Sequence, residues 1–277
     1  MILKINSVKT FTRLPNLFVN RFTVNFGYIP DQTVASGVDA MFYNSPMSSS
    51  NIAGEVSLRR FFKDVSDQYH LSSCVGNAIA DAFEAQQVQK LGVSPSEVKD
   101  LSRLFIYWNA RNLSTPTTTD RDRGCQIRWA FDSIKRYGVP TEDVYPYVLS
   151  KVNHKPGWIP YKYAIQNKIR NFYRINASGD ERIRQIIQAL SSGCPVVFGA
   201  RLYEYFRHIN DDSVIKLNTG DKYIGGHAMC LTGWSNSKQA FELRNSWGKG
   251  WGKEGYGFID VNYIKSSEAR DFWVATL

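Results

Sequence analysis

Residues 67–84 read DQYHLSSCVGNAIADAFE, and their single Cys74 stands where a loop gives way to a helix. Ser72 and Ser73 are residue types that cap helices. Val75, Ala78, Ile79, Ala82 and Phe83 recur at three- and four-residue spacing through about Gln89, which predicts a helix beginning near Cys74. A cysteine taken alone is most often a small apolar filler. At a helix N-terminus, however, the macrodipole favours its thiolate. The company the residue keeps decides between the two readings.

Working outward, the first half after residue 51 is mostly helical. Ile127, Ala130, Phe131 and Ile134 predict a second helix ended by Gly138. Asp180 is placed to cap a third, with Ile183, Ile186, Ile187 and Leu190 inward and Gly193 as its stop. From Cys194 the texture changes: PVVFGARL, HAMCLTGW, AFELRNSW and GYGFIDV are short, β-rich and separated by Gly, Asn and Lys turns, as in an antiparallel sheet or partly closed barrel. Upstream, Phe18, Asn20, Phe22, Val24, Phe26 and Tyr28 alternate with Val19, Arg21, Thr23 and Asn25, which predicts a strand with an aromatic face. The Ser-rich NSPMSSSN at 44–51 reads as a linker. The expected class is α+β: an N-terminal extension over 1–50, a helical lobe over 51–160 and a β-rich lobe over 161–277, with a cleft between the lobes as the natural site.

The 277 residues include 43% hydrophobic and 14% aromatic residues, a globular composition long enough to bury a sizeable core. No apolar run reaches the roughly 20 residues of a membrane helix, and the opening stretch does not read as a secretory signal, so a compartment is not assigned. Cys74, Cys125, Cys194 and Cys230 are too scattered for a disulfide scaffold or a zinc ribbon, and are expected to be free thiols. The formal charge of +9 is uneven: neither 1–30 nor 144–179 contains an acid. The second span mixes Lys151, Lys155, Lys162, Lys168, Arg170 and Arg174 with seven aromatic rings, a mixture that suits an acidic protein partner and, as the less favoured choice, single-stranded nucleic acid.

Three residues make Cys74 more than filler. Gln68 lies six positions before it, His227 sits in GGHAMCLTGW in the β-rich half, and Asn245 opens NSWGKGWGKEGY. Thiol acyl transfer needs a thiolate nucleophile, an imidazole that takes and returns the proton, a group that orients the ring, and donors for the developing oxyanion. Cys74, His227, Asn245, and Gln68 with the Cys74 backbone N–H supply one of each.

In this order and spacing the chain resembles the papain-like cysteine peptidases, and the compact bacterial-type members in particular. Gln68, Ser73 and Cys74 match the first motif, Gly226, His227, Ala228 and Gly233 the second, and Asn245, Ser246, Trp247, Gly248, Trp251, Gly252, Gly255 and Tyr256 the third. The likeness runs over about residues 51–265. It implies a two-lobe fold, hydrolysis of peptide bonds through an acyl-enzyme on Cys74, a Trp247 that shields the Asn245–His227 hydrogen bond, and no cofactor or metal. Peptides or proteins are then the substrates.

The departures from the family pattern also matter. Tyr69 and Ser72 stand where many members have glycines, Leu71 stands where they have a disulfide-forming Cys, and Val75 replaces Trp. Cys125 has accordingly lost its expected partner and is read as a free thiol beside the cleft. Gln126 and Ile127 follow it in place of paired glycines, which leaves Gly124, Cys125 and Gly225 as the candidate cleft wall. Residues 11–45 are expected to lie over or near the cleft, or else to add a strand to the β part. Two other readings stay open: a papain-fold transpeptidase or ligase, and a catalytically silent basic binding module.

Overall fold

The computed structural model describes residues 25–31, 41–42, 54–211 and 213–277. The strand expected over 18–28 lies outside them up to residue 24, and the linker at 44–51 lies outside them altogether.

Helix α1 (Cys74–Leu91) begins at the expected residue and ends at Gly92, whose φ of 66° places it in the left-handed C-cap conformation. Its N-cap is Ser73, without a side-chain cap bond. Spacing suggested a one-sided helix, yet every residue from Cys74 to Gln86 is buried, Asn77, Asp81 and Glu84 included. The reason is that α1 is sandwiched. Helices α2 (Arg103–Ser114) and α3 (Ile127–Tyr137) pack on it, and the sheet lies against it as well. Helix α4 (Trp158–Ala164) is short, and α5 runs over Gly179–Ser191 with Ser178, not Asp180, at the N-cap. Asp180 lies instead in the first turn, paired to Lys265 at 2.5 Å. Ser192 is the C-cap, one residue before the expected stop. Helix α6 spans Val261–Lys265.

The strands are β1 (Met41–Phe42), β2 (Glu55–Ser57), β3 (Asn171–Ile175), β4 (Val196–Tyr203), β5 (Val214–Ile215), β6 (Tyr223–Ser235), β7 (Ala240–Arg244), β8 (Tyr256–Asp260) and β9 (Ala269–Thr276). Among the described residues they form one sheet in the order β1-β3-β9-β4-β6-β7-β8-β5, with β2 on the far half of β6. Pairing is antiparallel except at the two ends, where β1–β3 and β5–β8 are parallel. The path has two ends, so the expected barrel-like lobe is an open, mixed sheet. Parallel pairing needs a long connection, and both end strands are reached by one.

One buried ion pair ties the helices to the sheet just beside the site. Arg244, at the end of β7, donates Nε to Asp81 Oδ2 on α1 at 2.7 Å, Nη1 to the Lys63 carbonyl at 2.9 Å and Tyr256 Oη at 2.7 Å, and Nη2 to the Asp64 carbonyl at 2.9 Å. Arg244 is 2% exposed, so neither charge has water to fall back on. The variant Arg244→Met should lose about 3–5 kcal/mol in denaturant unfolding, since it strands the Asp81 carboxylate in the interior. An unchanged midpoint would mean that the pair does not hold the lobes together.

Candidate active site

Register brings His227 and Asn245 side by side. Cys230 on β6 pairs with Arg244 on β7, so three residues back on one strand and one residue forward on the other reach the same end of the ladder. There His227 Nε2 lies 2.8 Å from Asn245 Oδ1. The same Oδ1 accepts the Ser246 backbone N–H at 2.8 Å, which identifies it as the amide oxygen. The imidazole must therefore donate from Nε2, and its Nδ1 remains an acceptor with no protein partner among the described residues. Trp247 covers the pair, its ring centroid 5.0 Å from that of His227, and is itself buried.

The sulfur lies against the backbone of the residue that follows this imidazole. Ala228, the residue after His227, directs its N–H at Cys74 Sγ at 3.4 Å. Gln68 is completely buried: its Oε1 accepts Ser246 Oγ–H at 2.7 Å, and its Nε2 donates to the Leu71 carbonyl at 2.8 Å. A second clamp comes from Tyr147, whose hydroxyl lies 2.5 Å from Ser73 Oγ and 3.0 Å from the Gln68 carbonyl. Sequence reading singled out neither Ser246 as the holder of Gln68 nor Tyr147 as the holder of Ser73. Ser246 is an ordinary residue inside a motif, Tyr147 is one ring of the basic aromatic span, and the partner of each is distant in sequence.

Residues 25–31 run straight through this cleft. Tyr28 N–H donates to the Gly226 carbonyl at 3.1 Å, Cys125 N–H to the Gly27 carbonyl at 2.8 Å, and Ile29 N–H to the Cys125 carbonyl at 3.1 Å, a bridge parallel to the cleft wall. Asn25 gives its carbonyl to Gln68 Nε2 at 3.3 Å, and the Gly27 N–H is directed at the Cys74 sulfur. The fit depends on Gly27, since a Cβ there would sit 1.8 Å from the Ser72 carbonyl oxygen. Cys125 is a free, buried thiol, and its backbone pairs with this segment although the paired glycines are missing. Gly124 and Gly225 also line the segment, against Gly27 and the Phe26 ring respectively.

Covered in this way, Cys74 and His227 are both 0% exposed. Burial pushes the thiol up to about 11 and the imidazole down to about 4, so this closed form holds the neutral pair. Because the segment fills the cleft, the large cavity of about 1170 Å³ lies elsewhere, lined by Lys63, Glu84, Asp100, Arg103 and Lys249 and by none of the four residues named for catalysis.

The far end of the segment is anchored by acids. Tyr28 Oη–H donates to Asp271 Oδ2 at 2.5 Å, and the Asp31 backbone N–H to the same oxygen at 2.7 Å. Arg174 Nη2 pairs with Asp271 Oδ1 at 2.6 Å, and Trp273 Nε1–H donates to Asp31 Oδ2 at 3.0 Å. Burial, then the neighbouring Asp271 charge, raises Asp31 to about 7; the Trp273 bond, Arg174 and the Arg128 backbone N–H oppose this.

Of the span 144–179, Trp158 and Tyr163 are exposed with Lys162 near the Trp158 ring, whereas Tyr145 and Phe172 are core. No described helix is long and apolar enough to cross a membrane.

The geometry gathers a thiol, an imidazole and an amide between the helices and the sheet of an α+β fold. Residues 59–272 match the papain family cysteine protease model, and the chain belongs to that family. It is 35% identical over 219 residues to an uncharacterized peptidase C1-like protein of Acanthamoeba polyphaga mimivirus, covering 75% of this chain and 68% of that protein. Among solved structures it resembles xylellain, a cysteine protease from Xylella fastidiosa, with a TM-score of 0.80, 29% identity, and coverage of 92% of this chain and 96% of that one. Procathepsin L 3 from the larval midgut of Tenebrio molitor shares the fold, at a TM-score of 0.66 and 19% identity over 86% and 73% of the two chains.

Proposed function

We propose that the chain hydrolyses peptide bonds through a thioester on Cys74. The reading is carried by the His227–Asn245 pair, whose tautomer leaves Nδ1 as the free base at the strand end that delivers an N–H to Sγ. His227 takes the Cys74 proton, and the thiolate adds to the substrate carbonyl carbon. As the C–N bond breaks, the imidazolium gives that proton to the leaving amine. Water, deprotonated by His227, then cleaves the thioester and restores the thiol. The Gln68 amide and the Cys74 backbone N–H receive the oxyanion. Labelling with an epoxide peptide inhibitor tests this reading: the adduct is expected on Cys74, and an adduct on another residue overturns it.

Gln68→Ala should lower kcat by about 10²-fold while Cys74 still alkylates, because one oxyanion donor is worth roughly 10² to 10³ in rate. A loss confined to KM would assign Gln68 to ground-state binding instead.

Residues 25–31 act in this scheme as an inhibitor. His227 protonates the leaving amine, so the leaving side of the cleft is the side of His227 and Trp247, where Phe26 rests with its centroid 6.2 Å from both rings. Tyr28 then occupies the acyl side, and the segment runs from leaving side to acyl side, opposite to a substrate. What faces the sulfur is the N–H of Gly27, not a carbonyl carbon, so the segment blocks the site without being cut.

Release should follow the Asp31 proton. Converting thiol and imidazole to thiolate and imidazolium changes no proton count, so that pair does not tilt the balance near neutrality. Asp31 does: its pKa is about 7 when docked against 3.8 when free, so docking is strongest below 3.8 and weakens as pH rises through about 7. Cys74 alkylation, corrected for thiolate fraction, should therefore speed up between pH 5 and 8 in the full chain. In Asp31→Asn that rise should vanish; its persistence would exclude Asp31 as the switch.

A further inference from the structure

The two groups that receive the oxyanion stand at opposite ends of one short loop. Gln68 opens it, and the Cys74 backbone N–H closes it at the first residue of α1. Of the two Gln68 Nε2 hydrogens, one is held by the Leu71 carbonyl and the other meets the Asn25 carbonyl, so a single hydrogen serves the oxyanion once residues 25–31 have left. The loop between the two donors is strained. Tyr69 holds a φ of 52°, a left-handed backbone that a non-glycine residue keeps only where its surroundings impose it.

Tyr147 reaches both ends of this loop, and the direction of its hydrogen bonds can be worked out. Arg103 Nη1 and Ser66 Oγ each donate to Asn77 Oδ1 at 3.2 Å, which turns the Asn77 amide nitrogen toward Ser73. That nitrogen donates to the Ser73 carbonyl at 3.0 Å and to Ser73 Oγ at 3.1 Å. A carbonyl can only accept, so the Tyr147 hydrogen goes to the Gln68 carbonyl at 3.0 Å, and the Ser73 hydroxyl supplies the hydrogen of the 2.5 Å contact between Ser73 and Tyr147. The bonds therefore run one way, from Asn77 to Ser73 to Tyr147 to Gln68, and each bond in such a chain polarises the next. Tyr147 is held in its turn. Its N–H donates to Glu142 Oε2 at 2.5 Å, and the Arg103 guanidinium, paired with Glu142 Oε1 at 3.0 Å, lies 4.0 Å from the centre of its ring. Burial pushes the phenol up to about 12, against the Ser73 hydrogen bond and the Arg103 charge, so it stays a donor throughout the neutral range.

Resting on the acyl-enzyme reading above, we infer that Tyr147 is a positioning residue for the reaction: its phenol ties Gln68 to Ser73 and so sets the separation of the Gln68 amide from the Cys74 backbone N–H. The oxyanion forms at a point fixed by the sulfur, and a donor displaced by about 1 Å from that point costs on the order of 10²-fold in rate. Tyr147 thus acts on the transition state, through the two residues it holds, and leaves the thiol and substrate binding alone.

The test uses the full chain carrying Gly27→Val, whose added side chain collides with Ser72 and displaces the covering segment. Adding Tyr147→Phe keeps the ring beside Arg103 and removes only the hydroxyl. With a small peptide substrate kcat should fall about 10-fold, equally at pH 6 and pH 8, with KM within about twofold. Iodoacetamide alkylation of Cys74 forms no oxyanion and should keep its rate and pH profile, whereas a peptide aldehyde, whose adduct with Cys74 places an oxygen between the two donors, should bind about 10-fold more weakly. Ser73→Ala, which removes the other hydroxyl of the 2.5 Å contact, should give the same split between turnover and alkylation. In a Gln68→Ala background, where one of the two positioned donors is already gone, Tyr147→Phe should cost less than about threefold. An unchanged kcat, a full 10-fold loss in the Gln68→Ala background, or alkylation that falls as far as turnover overturns the inference and leaves the catalytic reading intact. No turnover of any peptide by the Gly27→Val chain, with no epoxide adduct on Cys74, overturns both.

Discussion

Gly27→Val is expected to turn a silent thiol into a reactive one. In the unaltered chain the Cys74 pKa is raised to about 11 by burial, so at pH 7 only about one thiol in 10⁴ is ionised, and iodoacetamide is further shut out by a sulfur with no exposed surface. A valine cannot occupy position 27 with the segment in place, because its first side-chain atom already meets the Ser72 carbonyl at 1.8 Å. Once water enters, the burial that held His227 at about 4 is relieved and the imidazolium forms beside the sulfur. Together with the α1 N-terminus it lowers the thiol pKa by several units. Alkylation at pH 7 should rise by on the order of 10²-fold or more, and its pH profile should move from alkaline to neutral. The enzyme body is untouched, so the melting transition of the two lobes should persist. A variant that melts normally and alkylates no faster would mean that residues 25–31 do not guard the thiol.

The second large effect is Cys74→Ala in that opened background. The substitution removes the bond-forming atom and leaves the donors, the imidazole and the cleft in place, so binding should survive and turnover should not. Loss of a nucleophile from such a unit costs on the order of 10⁶ in kcat, which puts the variant at background. Retained hydrolysis would assign the chemistry to another residue. Asn245→Ala should be milder, because the ring would still be present but free to turn.

How legible the protein was differs from part to part. The start of α1, the end of α3 at Gly138 and the strands around HAMCLTGW, AFELRNSW and GYGFIDV were readable because periodicity and turn residues act locally. α2, with LFIYWNARNL, and β9, with ARDFWVAT, were not singled out: a short segment buried along most of its length has no clear period to read. The mixed edges of the sheet escaped for another reason, since β1 and β5 are only two residues long and owe their pairing to where the chain returns.

By itself the sequence supplied the expected inventory of chemistry: a thiol at a helix start, one imidazole on a strand, one amide just past the end of another, and Gln68 at a distance that a loop can close. It could do so because nucleophile, base and oxyanion donor are demanded by the reaction and stand in short motifs. Only the tertiary structure decided that Asn25–Asp31 lies in the cleft, that it runs parallel to the wall at Cys125, and that Asp271, from the last strand, meets Tyr28 from the first thirty residues. The Asp271 contacts join residues more than 200 positions apart, and the strength of all of these contacts depends on burial, which no local pattern of residues records.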